Sequence, residues 1–247
     1  MSYWKDRVKA EESWVNSLTD EKMKMLRRHY QEVALSNIED ELAKLYVQVK
    51  DIGAETLTRS QLYSFSRYVS LHNSISEEAY GIARLQNTTI NNAIEELYLK
   101  IRGVEQKDSV LTKHYIEQLI HSKWSGKDFS ERIWHNMNQL TQRVTKVITD
   151  SLILGMDYST IAKGISDEFN VSLNVANRLI RTETMHAYNT CAIDCYRDKA
   201  VKQIQLLVES DACEDCLQYR GKKMPIDKVP ILPIHCNCRC CYIPIIE

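Results

Sequence analysis

The sequence predicts a mainly α-helical protein, in which an elongated helical body is followed by a small C-terminal tip that contains β-structure. The chain of 247 residues has only 7 Gly and 4 Pro, the two residues that most often interrupt helices. Apolar residues recur at helical spacing as far as about residue 200, and all 8 cysteines follow residue 190. We therefore divide the chain into a helical body, residues 1–200, and a cysteine-rich tip, residues 201–247.

The first long helix is predicted to start at a cap signal, Thr19 with Asp20, and to end near Gly53. Its opposite face is rich in charge, so the apolar stripe must be buried against other helices or a partner. Trp4 and Trp14 precede the helix, either as interface anchors or as members of the helical bundle. The stripe consists of Met23, Leu26, Tyr30, Val33, Ile38, Leu42, Leu45 and Val49.

Further helices follow along the body. Residues 58–102 are predicted to be helical with a break at the polar run 86–89, and Gly103 ends this region. The segment WSGKDFSERIW starts at Trp124 and leads into a helix that Ser130 caps. A short helix over 159–169 and a longer one over 172–200 complete the body.

The last of these helices carries polar residues that we interpret as structural. Arg181 and Glu183 are expected to make partly buried polar contacts with other helices, and Asn189 to hold a loop by hydrogen bonds. The alternative is that Arg and Glu are catalytic. No nucleophile, Gly-rich phosphate loop or pair of carboxylates accompanies them, so no catalytic residue is assigned and the protein is predicted not to be an enzyme.

The tip is predicted to begin with a strand over 203–208 and to continue as a cysteine-rich loop. Zinc takes four sulfur or nitrogen ligands in a closed structural site, and a C-x2-C turn supplies two of them. Redox thiols are the alternative, but a reducing cytoplasm disfavours disulfides. We therefore predict a zinc-binding tip with a structural ion, in which Cys238 and Cys240 compete for the fourth place. The candidate ligands are Cys213, Cys216, His235, Cys238 and Cys240.

Charge and hydropathy exclude some functions. No stretch approaches the roughly 20 apolar residues that a membrane span needs, and the first residues are charged where a signal peptide is apolar. We therefore expect a soluble protein that is made in a cytoplasm and has no membrane partner. The 32 basic and 33 acidic residues give a net charge of −1, whereas a dedicated nucleic-acid binder usually shows a basic excess.

Several of these segments, taken in order, resemble the head morphogenesis family of tailed phages, which includes the phage Mu protein F-like minor head proteins. The resemblance covers roughly residues 124–247. Family members typically have HPNCRC where this chain has HCNCRC, so Cys236 stands in the place of a Pro and the ligand spacing is unchanged. The segments that carry it are WSGKDFSERIW, LIRTETMHAYNTCAIDCY, the C-x2-C pair and HCNCRC.

The resemblance implies a minor head protein that associates with the phage portal and acts in head morphogenesis, and in DNA packaging or ejection. It would lie inside the head near the portal, after assembly in the host cytoplasm. Its implied partners are the portal protein, the major capsid or scaffold protein, and packaged DNA. A DNA-binding ejection factor and, less favoured, a zinc-dependent enzyme are the alternatives. Some relatives carry an appended toxin-like transferase domain, for which we expect no room in this chain.

Overall fold

The computed structural model of the chain describes residues 2–53, 57–104 and 109–246, apart from the side chain of residue 2. The prediction of a mainly helical chain with a small C-terminal β-sheet is confirmed. The helices are α1 (Ser2–Arg28), a π-helical turn (His29–Ala34), α2 (Leu35–Lys50), α3 (Arg59–Ser64), α4 (Ser66–Arg102), α5 (Val110–Ile120), α6 (Phe129–Ile153), α7 (Tyr158–Asp198) and α8 (Glu214–Leu217), and the strands are β1 (Gln203–Leu207), β2 (Lys223–Pro225) and β3 (Cys241–Ile245), with a 3-10 turn at Ile226–Lys228.

The start predicted for the first helix is wrong. Thr19 lies inside α1, where its hydroxyl donates a hydrogen bond to the carbonyl of Val15 at 2.8 Å and its side chain is buried. Inside a helix, a threonine hydroxyl can donate to a carbonyl of the preceding turn in this way instead of capping a helix start. The π-helical turn shifts the phase of the apolar stripe. As a result Val33 is 40% exposed, although Tyr30 is fully buried.

The break predicted at 86–89 is also wrong, because α4 continues through it. Gln86 is 1% exposed, and its Nε2 donates to the hydroxyl of Tyr30 at 2.8 Å. The side chain of Gln86 therefore finds its hydrogen-bond partner on another helix and not in solvent, so the polar run does not interrupt α4. The predicted end of this region holds, since Gly103 has a φ of 62° and follows the last residue of α4.

The two helices predicted over 159–169 and 172–200 are one continuous helix, α7. Ser172 does not start a new helix because it lies 2% exposed in the core, with its hydroxyl 3.4 Å from the hydroxyl of Tyr30. Phe169 and Leu173 are buried on either side of it, so the apolar face runs through the predicted break. Ser130 lies inside α6 and does not precede it.

Two compact units make up the chain. One comprises Met23–Asn87 and Ser130–Ala176; the other comprises Met1–Lys22, Thr88–Phe129 and Asn177–Glu247. The residues after 200 therefore belong to the same compact unit as the C-terminal part of α7. The predicted division into 1–200 and 201–247 stays a prediction.

The sheet of this second unit has the strand order β2-β1-β3 and is antiparallel throughout. The central strand, Gln203–Leu207, confirms the strand predicted over 203–208. Ile204 lies opposite Met224 on one side and Pro244 on the other. The sheet and the end of α7 share one hydrophobic cluster, which includes Ala192, Ile193, Tyr196, Ile204, Leu206, Cys216, Leu232, Cys238, Cys240 and Tyr242.

Among the described residues, no helix is both long enough and apolar enough to cross a membrane.

Candidate metal centre

The first pair of candidate ligands lies on a tight turn that opens α8. Cys213 precedes the helix in an extended conformation, and the backbone N–H of Cys216 donates to its carbonyl at 3.0 Å. Such a turn brings the first and fourth residues together. Cys213 is exposed and Cys216 is buried, so the pair lies at the edge of the hydrophobic cluster.

The second pair lies on a turn of the same kind. The backbone N–H of Cys238 donates to the carbonyl of His235 at 3.2 Å. Asn237 has a φ of 61°, a left-handed conformation that Asn adopts more readily than most residues. Two equivalent turns thus each present their first and fourth side chains, and together they contribute three thiols and one imidazole.

The donor atoms of the two turns lie close together. Nε2 of His235 is 3.1 Å from Sγ of Cys213 and 3.2 Å from Sγ of Cys216. Sγ of Cys216 is 3.6 Å from Sγ of Cys238, and all of these cysteines are free thiols. In a tetrahedral zinc site, bonds of about 2.3 Å to sulfur and about 2.0 Å to nitrogen place neighbouring donors about 3.5–3.8 Å apart. These three separations need only small shifts to reach that geometry. Cys238 lies outside the group in which the donor atoms of Cys213, Cys216 and His235 are all within 4.8 Å of one another, so its thiol would have to move further.

The ring of His235 is oriented as a metal ligand requires. Its Nδ1 lies 2.8 Å from the carbonyl oxygen of Cys236, which can only accept, so Nδ1 carries the proton and donates. The lone pair of the neutral ring is therefore on Nε2, the atom that faces the thiols. Metal-binding histidines commonly donate their other N–H to a carbonyl, which fixes the tautomer and the ring orientation.

Cys240 forms a second, overlapping group with Cys216 and Cys238, in which all three sulfurs are buried and lie within 4.8 Å of one another. A hydrogen bond from the thiol of Cys240 lowers the pKa of Cys238 to about 5. Burial raises the pKa of Cys216 to about 12. A bound divalent cation would deprotonate such thiols outright. The turn geometry favours Cys238 as the fourth ligand, with Cys240 as its neighbour.

The other cysteines lie outside these groups. Cys236 is exposed, and Cys241 is buried in β3. Cys191 and Cys195 are one helical turn apart on α7, the first buried and the second half-buried. All five candidate ligands line a cavity of about 260 Å³, together with Asp211 and Arg239, which pair at 3.2 Å.

The polar residues singled out on α7 are largely buried. Glu183 is 3% exposed and Asn189 is 1% exposed, whereas Arg181 is half-buried. Nδ2 of Asn189 donates to the carbonyl of Met185 at 2.9 Å and to that of Cys240 at 3.1 Å. Asn189 therefore contacts the backbone of the ligand loop. The structural role assigned to these residues stays a prediction.

Sequence reasoning missed three other side chains that contact the same loop. The hydroxyl of Thr182 accepts from the backbone N–H of Asn237 at 3.1 Å. Nδ1 of His186 lies 3.1 Å from the carbonyl of Leu232, to which it donates. Nε1 of Trp124 donates to the carbonyl of Pro233 at 2.7 Å. For Thr182, His186 and Asn189 a signal was present, because their spacing places them on one face of α7.

Comparisons with known proteins place this segment in a phage context. The family model described as Phage Mu protein F like protein matches residues 142–243. The chain is also similar to the NAD(+)–arginine ADP-ribosyltransferase EFV of Enterococcus faecalis, with 27% identity over 155 residues. That match covers 57% of this chain and 31% of the transferase, so the chain spans about a third of that relative's length. No solved structure matches.

The matched residues contain α7, the sheet apart from its last residues, and every candidate ligand of the metal centre. The resemblance noted in the sequence is thus supported by an independent family model. The family match therefore supports a similarity to phage Mu protein F like proteins over residues 142–243.

Proposed function

We propose that this chain is a minor head protein of a tailed phage, associated with the portal, and that one structural zinc ion stabilises its C-terminal tip. The observation that supports it best is the family match, which spans the whole donor cluster. The family match supports a role in head morphogenesis. The proposal goes further in placing the protein inside the virion near the portal, in contact with capsid or scaffold protein.

The zinc ion would be held by Cys213, Cys216, His235 and Cys238. Once bound, it supplies a crosslink between two turns of the chain. The tip has little apolar material of its own, so such a crosslink would contribute much of its stability. Four protein ligands complete a tetrahedral site and leave no open position for a substrate, which favours a structural ion over a catalytic one.

Elemental analysis of the purified full chain tests the zinc proposal. We expect one zinc ion per chain, which survives gel filtration and is lost in Cys216→Ser. Cys236→Ser is the matched control, because its thiol is exposed and belongs to neither donor group. A chain that carries no zinc, and whose tip stays folded in a strong chelator, would show that the thiols serve another purpose.

Portal binding is proposed for the N-terminal segment, residues 1–18. Trp4 packs edge-on against Tyr3 with ring centroids 5.3 Å apart, and the guanidinium of Arg7 lies 5.3 Å from the Trp4 ring. Tyr3 is 64% exposed. Trp, Tyr and Arg are the residues that dominate protein interfaces. Trp14 differs, because Lys100 lies 4.2 Å over its ring within the same compact unit.

Size-exclusion chromatography after co-expression with the portal of the same genome tests this role. A complex should form with the full chain and weaken when residues 1–18 are removed. Trp4→Ala should weaken it more than Trp14→Ala, because the half-buried Trp4 packs against the exposed Tyr3, whereas Lys100 lies over the ring of Trp14. If the full chain never elutes with the portal, the portal role is wrong.

A second candidate, an ejection factor that contacts DNA, is favoured by one surface feature. Lys5, Lys9 and Arg220 line a cavity of about 560 Å³ beside β1 and β3, with Glu209 as its acidic member. Phosphate contacts by basic side chains make binding steeply dependent on salt. If the chain binds duplex DNA, and binding weakens with salt and further in Lys5→Ala/Lys9→Ala, the ejection-factor role would replace the portal role.

Transferase activity is not proposed, because the match to the ADP-ribosyltransferase covers only 31% of that enzyme.

A further inference from the structure

One face of α7 carries three polar side chains that reach the loop of the second ligand turn. Thr182, His186 and Asn189 follow a spacing of four and three residues, so their side chains lie on one stripe of the helix. All three are buried, at 1%, 6% and 1% exposure. In that setting their polar atoms have little access to water, so each depends on its protein partner.

Each of these side chains bonds to the backbone of a different part of the loop. Thr182 accepts from the N–H of Asn237 at 3.1 Å, between the two ligands of the turn. Asn189 donates to the carbonyl of Cys240 at 3.1 Å, just after the turn. His186 donates to the carbonyl of Leu232 at 3.1 Å, just before it. The contacts therefore bracket the segment from His235 to Cys238 on both sides and touch its middle.

The contact in the middle bears directly on ligand geometry. Asn237 has a φ of 61°, a conformation that most residues avoid, and it separates His235 from Cys238. The hydrogen bond from its N–H to Thr182 holds the peptide in this orientation. The thiol of Cys238 and the Nε2 of His235 depend on the same turn for their position. A change at Thr182 is thus expected to alter both ligands without removing either.

We infer that Thr182, His186 and Asn189 are positioning residues of the metal centre, which hold the second ligand turn in its binding conformation from α7. This inference rests on the proposed metal site. If so, the affinity for the ion depends on side chains of α7 as well as on the ligands in the cysteine-rich segment. The inference also gives the motif RTETMHAYN a physical role, since the three residues occupy the second, sixth and ninth places of that string.

The contacts could instead serve only to pack α7 against the loop. The two readings differ in what a small change should do. If the contacts only pack the loop, a change lowers stability and leaves the affinity for the ion in the folded protein as it was. If they position ligands, the affinity falls, because partners outside the ligand set typically contribute a factor of about 10–100.

The test measures zinc affinity of the full chain by competition with a chromogenic chelator. Thr182→Val is the main variant, because it keeps the side-chain shape and removes the acceptor for Asn237. Thr184→Val is its matched control: Thr184 is fully buried on the same helix, and its hydroxyl makes no hydrogen bond among the described residues. Asn189→Leu is the second variant, which removes the donor to Cys240. Helical circular dichroism checks that each protein is folded.

We expect Thr182→Val and Asn189→Leu each to weaken zinc binding by about 10-fold or more, and Thr184→Val to leave it within about threefold. Cobalt substitution should show the thiolate-to-metal absorption of the wild type in all variants, since no ligand is removed. Unchanged affinity in a folded Thr182→Val protein would overturn the positioning role and leave the zinc proposal standing. A wild-type chain that binds no zinc would instead end the proposed metal function and this inference with it.

Discussion

Loss of the metal crosslink should lower the stability of the unit that contains the tip, and the size of the effect can be worked out from the structure. Cys213 and His235 are 22 residues apart and their donor atoms lie 3.1 Å apart. A crosslink that closes a loop of this length restricts the unfolded chain and contributes about 3 kcal/mol. The metal–ligand bonds add to this value, so it is a lower bound.

For a compact unit of this size, one kcal/mol corresponds to roughly 4 °C in Tm, so His235→Ala should lower the Tm by at least about 12 °C. Thermal unfolding followed by circular dichroism, with zinc and with a chelator, measures the shift. Cys236→Ser is the matched control, because it changes an exposed thiol and keeps the backbone carbonyl that accepts from His235.

The six melts, of three proteins each with zinc and with chelator, should follow a specific pattern. Wild type and Cys236→Ser should lose stability in chelator, whereas His235→Ala should be less stable from the start and insensitive to chelator. If His235→Ala melts at the wild-type temperature, and the chelator shifts neither protein, the two turns are not joined by an ion and the argument from loop closure fails.

Two further predictions concern groups away from the metal centre. The hydrogen bond from Cys191, together with two nearby cationic side chains, lowers the pKa of Cys195 to about 7, so its alkylation by iodoacetamide should rise through that pH. Peptide mapping should show the midpoint moving to higher pH in Cys191→Ala, and an unmoved midpoint would contradict the assigned cause. Tyr30→Phe should cost about 1–3 kcal/mol by leaving the buried Nε2 of Gln86 without its oxygen acceptor. The double change Tyr30→Phe/Gln86→Leu should cost less than Tyr30→Phe alone in urea unfolding, and equal costs would refute that reasoning.

Helical content and the central strand were predictable because both depend on local periodicity. Their boundaries were not, since the residues that misled the prediction are satisfied by distant partners. Gln86 looks like a break in the sequence, yet it bonds to Tyr30 on another helix. Thr19 looks like a cap, yet it bonds to the preceding turn. No local pattern distinguishes these cases, because the same residue types favour caps and breaks elsewhere.

The candidate ligands were predictable from spacing, but the choice among them was not. The structure favours Cys238 over Cys240, because the backbone N–H of Cys238 donates to the carbonyl of His235 and forms the second turn. The sequence shows only that two residues separate His235 from Cys238. The strand β2 was missed because Lys223–Pro225 has a charged and a proline residue, and its pairing with β1 spans a long loop. The contacts of Thr182 and His186 were missed because they are tertiary, although their helical spacing was visible.

X-ray absorption at the zinc edge, on the full chain purified without added metal, measures the proposed ligand shell itself. We expect one zinc ion with three sulfur ligands at about 2.3 Å and one nitrogen ligand at about 2.0 Å. Cys240→Ser should leave this shell unchanged, whereas Cys238→Ser should remove one sulfur. A shell dominated by oxygen, or a loss of sulfur in Cys240→Ser alone, would contradict the ligand set proposed from the two turns.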